Sequence, residues 1–262
     1  MKTEKTKKMK KDTAQRMFPA VNFDEFAKEI DITGPDGEMD LNLYKWQKNL
    51  GLAFQKAAQS KRKNKRGFVC LTPRQSGSTT LLCAYILWYN YVNTKNAILL
   101  TNKFGQSVET MMRIQNMYKS LPDALKKPVK KMNRQVIVFA DGSYISTCTA
   151  LASNLVGKSF DLLVVDDAAH IRNLEGEILC TCIPMMSARK EGQMILASCA
   201  APGIYMKLWK ESTKKKSYFE NVKVPYNCVP GRDREWKKRM ILEYGQKFFD
   251  QEYDCKLVIT SK

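Results

Sequence analysis

The chain has 262 residues, enough for one large α/β domain with a buried core and too few for two complete motor domains. Lys and Arg number 44 against 26 Asp and Glu, a formal charge of +18 with the single His neutral, which favours a polyanionic partner such as nucleic acid bound in a salt-dependent way. The eight cysteines lack zinc-site spacing and mostly sit beside apolar runs, which predicts buried free thiols. With no signal-peptide core and no apolar stretch of membrane-spanning length, a cytosolic protein without membrane contact is expected.

Residues 1–16 are Lys-rich and poor in apolar side chains, which predicts a basic disordered arm. Residues 17–60 are expected to form a helical extension. It comprises a short helix over Phe23–Ile30, a turn at Gly34-Pro35-Asp36-Gly37, and a helix opening at Leu41 and running into Ala58. The run Lys61-Arg62-Lys63-Asn64-Lys65-Arg66 reads either as a solvated loop or as a phosphate-contacting patch. Over 61–262 strands alternate with helices, the signature of an α/β core with a mostly parallel central sheet flanked by helices. Strands are predicted at Phe68–Leu71, Ala97–Thr101, Val136–Phe139, Tyr144–Thr147, Leu162–Val165, Met194–Ser198 and Phe219–Val224. Helices are predicted at Ser78–Val92, Gly105–Ser120, Arg234–Tyr244 and near Gln246–Tyr253.

Leu71-Thr72-Pro73-Arg74-Gln75-Ser76-Gly77-Ser78-Thr79-Thr80 leaves the first of these strands and enters a long apolar helix, the setting of a phosphate loop. Backbone N–H groups and the helix N-terminus would surround phosphates there, and a hydroxyl at the helix start would hold Mg²⁺: Thr79, with Thr80 as the second choice. Ser78 stands where a phosphate-binding Lys is usual and carries no charge to stabilise a developing γ-phosphoryl. Arg74, four residues earlier, has a planar fork suited to phosphate oxygens. A ligand-free strand-to-helix turn is the alternative.

Asp161-Leu162-Leu163-Val164-Val165-Asp166-Asp167-Ala168-Ala169-His170 is an apolar strand with two carboxylates at its end, the Walker B arrangement. Asp166 would hold Mg²⁺ through water and Asp167 would polarise the attacking water. Acidic residues also follow buried strands as turn formers, so it is the pairing with a phosphate loop that favours the catalytic reading. The second carboxylate is usually Glu. Asp leaves its oxygens about 1.5 Å short, and misplacement on that scale can cost about a hundredfold in rate. His170 reads as a γ-phosphate sensor or as a packing residue; Trp46 and Trp209 as base-stacking or core; Met111-Met112 and Met185-Met186 as core filler.

Taken in order, these motifs resemble the ATPase domain of the large terminase subunit, the motor that packages DNA into the procapsids of tailed phages and herpesviruses. The resemblance spans roughly residues 40–256. Leu43-Tyr44-Lys45-Trp46-Gln47 resembles the adenine-recognising segment, which implies Tyr44 and Gln47 at the base. Arg74-Gln75-Ser76-Gly77-Ser78-Thr79-Thr80 is similar to the family loop Arg-Gln-x-Gly-Lys-Thr-Thr, departing at Ser78. Members without that Lys rely on a basic residue at the loop start, which implies Arg74. Asn154-Leu155-Val156-Gly157-Lys158-Ser159-Phe160 resembles the segment before Walker B, with Val156 where the family has Arg. Pro184-Met185-Met186-Ser187 and Ile195-Leu196-Ala197-Ser198-Cys199-Ala200-Ala201-Pro202-Gly203 resemble the strand and coupling motif, with Ser198 as the best match. Phe249-Asp250-Gln251-Glu252-Tyr253-Asp254-Cys255 is similar to the segment that closes the domain.

The resemblance implies a RecA-like P-loop fold of the ASCE class, with ATP and Mg²⁺ as cofactors and double-stranded DNA, the portal protein and the small terminase subunit as partners. It also implies a homo-oligomeric ring on the procapsid, whose neighbouring subunit supplies a cation drawn from Lys158, Arg172 or Arg189. The cytoplasm of an infected host cell is the expected location, or the nucleus for a herpesvirus. Full-length members continue into an RNase H-like nuclease; the motor half alone is expected here, without nuclease activity. Two other readings stay open. A superfamily 2 helicase fragment would fit Asp166-Asp167-Ala168-Ala169-His170 but leaves no room for a second RecA-like domain, and a degenerate nucleotide- or DNA-binding module would fit Ser78 and Asp167 together.

Overall fold

The computed structural model describes residues 21–257 apart from 35–36, 61–65, 188 and 190. The basic arm at 1–16, the centre of the predicted turn and all but Arg66 of the Lys61–Arg66 run lie outside the described residues.

The N-terminal part begins with α1 (Phe23–Lys28), which starts at Asn22 because Asn22 and Glu25 cap each other's backbone N–H groups. A short antiparallel hairpin follows, β1 (Asp31–Gly34) with β2 (Gly37–Asp40), then α2 (Lys45–Gln59). Phe23 lies directly on α2 at Gly51, where an added Cβ would sit 2.0 Å from the ring. The close approach of the two helices therefore depends on that glycine.

Eight strands form the main sheet: β3 (Gly67–Leu71), β4 (Ala97–Thr101), β5 (Val129–Asn133), β6 (Val136–Phe139), β7 (Tyr144–Thr149), β8 (Leu162–Asp166), β9 (Gln193–Ser198) and β10 (Phe219–Lys223). Their order is β10-β3-β9-β8-β4-β7-β6-β5. The strands from β10 to β7 run parallel, and β5 and β6 close one edge antiparallel. Strands β3, β4, β8 and β9 are buried along their whole length, as unbroken apolar runs with helices on both faces require. Edge strand β5 carries exposed Lys130 and Lys131, charges that discourage further strand pairing.

One face is covered by α1, α2, α3 (Ser78–Asn93) and α4 (Phe104–Ser120), with Phe23, Phe26, Trp46, Leu50, Phe54, Tyr85 and Trp88 in a single apolar cluster. Every residue of α3 from Leu81 to Tyr91 is buried, because this helix is wedged between the sheet and its three neighbours. The other face is covered by a π-helical turn at Leu174–Leu179, α5 (Cys180–Ser187) and α6 (Ile204–Glu211). Two more helices, α7 (Arg234–Tyr244) and α8 (Gln246–Glu252), finish the described chain.

Register places the site. One strand, β9, separates the loop strand β3 from β8, and their last residues align: Leu71 opposite Ser198, and Ala197 opposite Asp166. The phosphate-loop candidate, the paired carboxylates and Ser198 thus leave the sheet together at the C-terminal ends of parallel strands, where α/β sheets place ligands.

Several expectations need correction. The helix expected from Leu41 begins at Lys45, because Leu41 and Leu43 alternate into the core as extended chain and the Gln47 side chain caps the Tyr44 N–H at 2.7 Å. Pro184–Ser187 belongs to helix α5 and not to a strand. Ile178, Cys182 and Met186 recur every four residues, so a helical path alone keeps all three buried. The hairpin β1–β2, the edge strand β5 and helix α6 are additions to the predicted elements. Met112 is exposed while Met111 fills the core, and Cys180 and Cys228 are exposed while the other six thiols are buried. Among the described residues no helix is long and apolar enough to cross a membrane.

Candidate nucleotide site

Residues Thr72–Thr80 wrap a cavity of about 300 Å³ that Arg113, Asp166, Asp167, Ser198 and Cys199 complete. The loop is anchored at its start by the Thr72 N–H, which donates to the Ser198 carbonyl at 2.9 Å. Gln75 and Gly77 both take left-handed backbone conformations, φ +53° and +84°, which tighten the turn into α3. The glycine at 77 is required twice over. A Cβ there would meet Gln47 Nε2 at 2.7 Å, and Gly77 is also the N-cap of α3, bringing no side chain to the first helical turn and leaving its N–H groups for an anion.

Gln47 comes from the opposite side of the loop. It is buried, accepts the Tyr44 N–H with its oxygen and donates Nε2 to the Gly77 carbonyl at 2.9 Å. The predicted base-reading residue is therefore tied to the phosphate loop itself, with the half-exposed Tyr44 beside it.

At the start of α3, Thr79 Oγ1 donates to Asp166 Oδ2 at 2.6 Å. Burial pushes the Asp166 carboxyl up to about 6; the neighbouring Asp167 charge adds to this, and the Thr79 hydroxyl and the Arg113 charge oppose it. Asp167 follows in the left-handed region, φ +53°, which Asp tolerates better than most residues. Its backbone N–H donates to Asp166 Oδ1 at 3.1 Å, and its side chain lines the cavity. A hydroxyl and a carboxylate in contact at a cavity wall are a hard-oxygen donor pair suited to Mg²⁺ completed by water and phosphate oxygens. The residues therefore fit the ion. Among the described residues no group of three or more His, Cys, Asp or Glu side chains is arranged to hold a metal.

Arg74 lies in the loop, but its guanidinium pairs with Glu252 of α8, and its N–H donates to the Glu252 carbonyl at 2.8 Å. Hydrogen bonding to Glu252 raises the Arg74 pKa further, so the charge is fixed. Arg232 locks the loop from behind: its Nη2 donates to the carbonyls of Arg74 and Gln75, both at 2.9 Å, while Trp236 and Tyr253 pack against the guanidinium at 5.0 and 5.3 Å. The strained turn at Gln75 is thereby held by a residue more than 150 positions downstream.

Ser76 and Ser198 are buried at the cavity with hydroxyls that find no partner among the described residues, and Ser78 and Thr80 line the same wall. His170 Nε2 lies 3.1 Å from the Cys199 thiol, next to Ser198, so it joins the segment after Walker B to the end of β9. Burial pushes that thiol up to about 11, which marks it as a neutral packing partner and not a nucleophile. Trp46 packs in the core, and Trp209 is partly buried against the opposite face. Sequence reasoning assigned no role to Arg113, Arg232 or Glu252. The Gln-Glu-Tyr segment was the one signal pointing toward any of them.

The sequence model of the family described as terminase large subunit, T4likevirus-type, N-terminal, matches residues 69–261. Among solved structures, the large terminase ATPase domain of Thermus phage P74-26 is similar with a TM-score of 0.61 and 19% identity, covering 79% of this chain and 92% of that one. The large terminase of bacteriophage HK97 gives 0.70 and 13%, covering 90% and 55%. The large terminase of another thermophilic bacteriophage, in complex with ATP-gamma-S, gives 0.56 and 16%, covering 81% and 52%. The chain therefore spans about half the length of these last two proteins. At these identities the structures speak for the fold, a RecA-like P-loop domain, and the family match covers well over half of the sequence. The protein belongs to the large terminase subunit family and carries its N-terminal ATPase-type domain.

Proposed function

We propose that this domain binds Mg-ATP and hydrolyses it to drive double-stranded DNA into a viral procapsid. The observation that carries this reading is the contact between Thr79 and Asp166 on the wall of a cavity ringed by a phosphate loop, with Asp167 beside it.

In this reading Gln47 and Tyr44 hold the adenine. The N–H groups of Gln75 to Thr80 and the Arg74 guanidinium hold the phosphates, and Thr79 and Asp166 position Mg²⁺. A divalent cation held by Thr79 and Asp166 would supply positive charge to offset that of the phosphates. Asp167 accepts a hydrogen bond from the attacking water and aligns it with the γ-phosphorus. Arg232 and Glu252 keep the loop in its strained shape before nucleotide arrives, so little reorganisation is needed on binding. In the same reading Ser198, at the end of β9 and one residue from the His170–Cys199 contact, passes changes at the γ-phosphate into the rest of the sheet.

The basic charge supplies the DNA affinity. A homo-oligomeric ring on the portal, recruited with the small terminase subunit, brings a neighbour's cation to the site in the cytoplasm of the infected cell. The test is equilibrium titration with a fluorescent ATP analogue in the presence of Mg²⁺, for the wild type, Gln47→Ala and Thr79→Ala. Saturable wild-type binding weakened in both variants is expected; wild-type binding unaffected by either change would remove this cavity as the nucleotide site.

A further inference from the structure

A third arginine reaches the cavity from outside the phosphate loop. Arg113 lies on α4, and its Nη1 donates to Thr80 Oγ1 at 2.9 Å, one residue beyond Thr79. Its side chain lines the same cavity as Thr79, Asp166 and Asp167. It also forms part of a second cavity of about 390 Å³ between α4 and β1, where Asp31, Glu109 and Asn116 are its neighbours. Arg113 is exposed and lines both spaces.

The three site arginines differ in how their charge is met. Arg74 is paired with Glu252, and Arg232 is buried against two carbonyls and two rings. Arg113 forms no ion pair among the described residues, and a single neutral hydroxyl occupies one of its donors. Most of the Arg113 guanidinium's N–H groups therefore remain available at the cavity wall. Within the loop, Ser78 is neutral and the one cation, Arg74, is already paired with Glu252.

We propose that Arg113 binds the terminal phosphate of the nucleotide from the Asp166 side of the cavity, supplying in cis the positive charge that Ser78 leaves out of the loop. This rests on the nucleotide-site reading above. Its competitor is structural: the Arg113–Thr80 hydrogen bond would merely knit α4 to α3. The two differ in nucleotide selectivity, because a contact with the terminal phosphate acts on ATP and not on ADP, whereas a helix-to-helix tie acts on both alike.

The experiment is calorimetric titration of the wild type, Arg113→Gln and Arg113→Lys with Mg-ATP-gamma-S and with Mg-ADP, alongside thermal unfolding of each. For Arg113→Gln, affinity for ATP-gamma-S should fall on the order of tenfold or more, the usual size for a lost charge-assisted hydrogen bond, while affinity for ADP changes less than about threefold. Arg113→Lys, which keeps the charge, should recover part of the loss. An equal loss for both nucleotides, or no loss, with wild-type binding intact would overturn the proposal alone. A wild type that binds neither nucleotide would overturn the nucleotide-site reading and this proposal with it.

Discussion

Asp166→Asn should make the nucleotide-free protein more stable. Asp166 is 7% exposed, and burial lifts its carboxyl from 3.8 to about 6. Because the folded value lies above the unfolded one, folding favours the protonated form. The associated stability is fully present below about pH 3.8 and is lost as pH rises through about 6. At 1.36 kcal/mol per pH unit, the ionised carboxylate costs the folded state about 3 kcal/mol at pH 8, as an order of magnitude. Asn removes the charge and keeps an oxygen to accept from Thr79 Oγ1, so most of that cost should be recovered. For a domain of this size that amounts to a rise in Tm of roughly 5–10 °C. The assay is urea unfolding of both proteins, without nucleotide or Mg²⁺, from pH 4 to pH 8. The stability gap should open as pH increases and be near zero at pH 4. A variant no more stable than wild type at pH 8, or a gap independent of pH, would refute the idea that this carboxylate is held ionised at a cost for the sake of a bound cation.

Gly77→Ala should destabilise the protein by about 2–3 kcal/mol, from the left-handed backbone and the displaced Gln47 amide. In a Gln47→Ala background the same change should cost only about 1–2 kcal/mol, a difference that denaturant unfolding resolves. Asp167→Glu should raise phosphate release at least about tenfold by bringing the carboxylate to the water, whereas Asp167→Ala should leave only background. Lys127 is buried, pairs with Asp141 at 2.5 Å and donates to Ser143 and Asn90, so Lys127→Met should cost about 3–5 kcal/mol by stranding those groups. Urea unfolding reports it, and a near-neutral effect would show the network to be dispensable. Affinity for double-stranded DNA, measured by fluorescence anisotropy, should fall linearly with salt on a log–log plot, with a steep slope for a chain of charge +18.

The parts of the fold visible in the sequence were those with local signals. Strands β3, β4, β8 and β9 are continuous apolar runs buried on both faces, and the loop and paired carboxylates are contiguous motifs at strand ends. Hairpin β1–β2 and edge strand β5 escaped because Asp-Ile-Thr-Gly, Gly-Glu-Met-Asp and Val-Lys-Lys-Met-Asn are polar and short, and their pairing is set by tertiary contact. Helix α5 was hidden by Pro184, which reads as a helix breaker although it falls in the middle of the element. Within the site, Arg113, Arg232 and Glu252 meet the loop across 33, 158 and 178 positions, distances at which no spacing rule operates. Packing of α4 on α3 brings Arg113 to the loop, and the return of the chain through α7 and α8 brings Arg232 and Glu252.

Steady-state phosphate release with Mg-ATP, with and without double-stranded DNA, compared among the wild type, Arg74→Ala and Asp167→Ala, tests the motor reading most directly. DNA-stimulated turnover that either substitution abolishes is the predicted result. Background rates in all three proteins, with nucleotide or DNA binding intact, would contradict it and leave a domain that binds without hydrolysing.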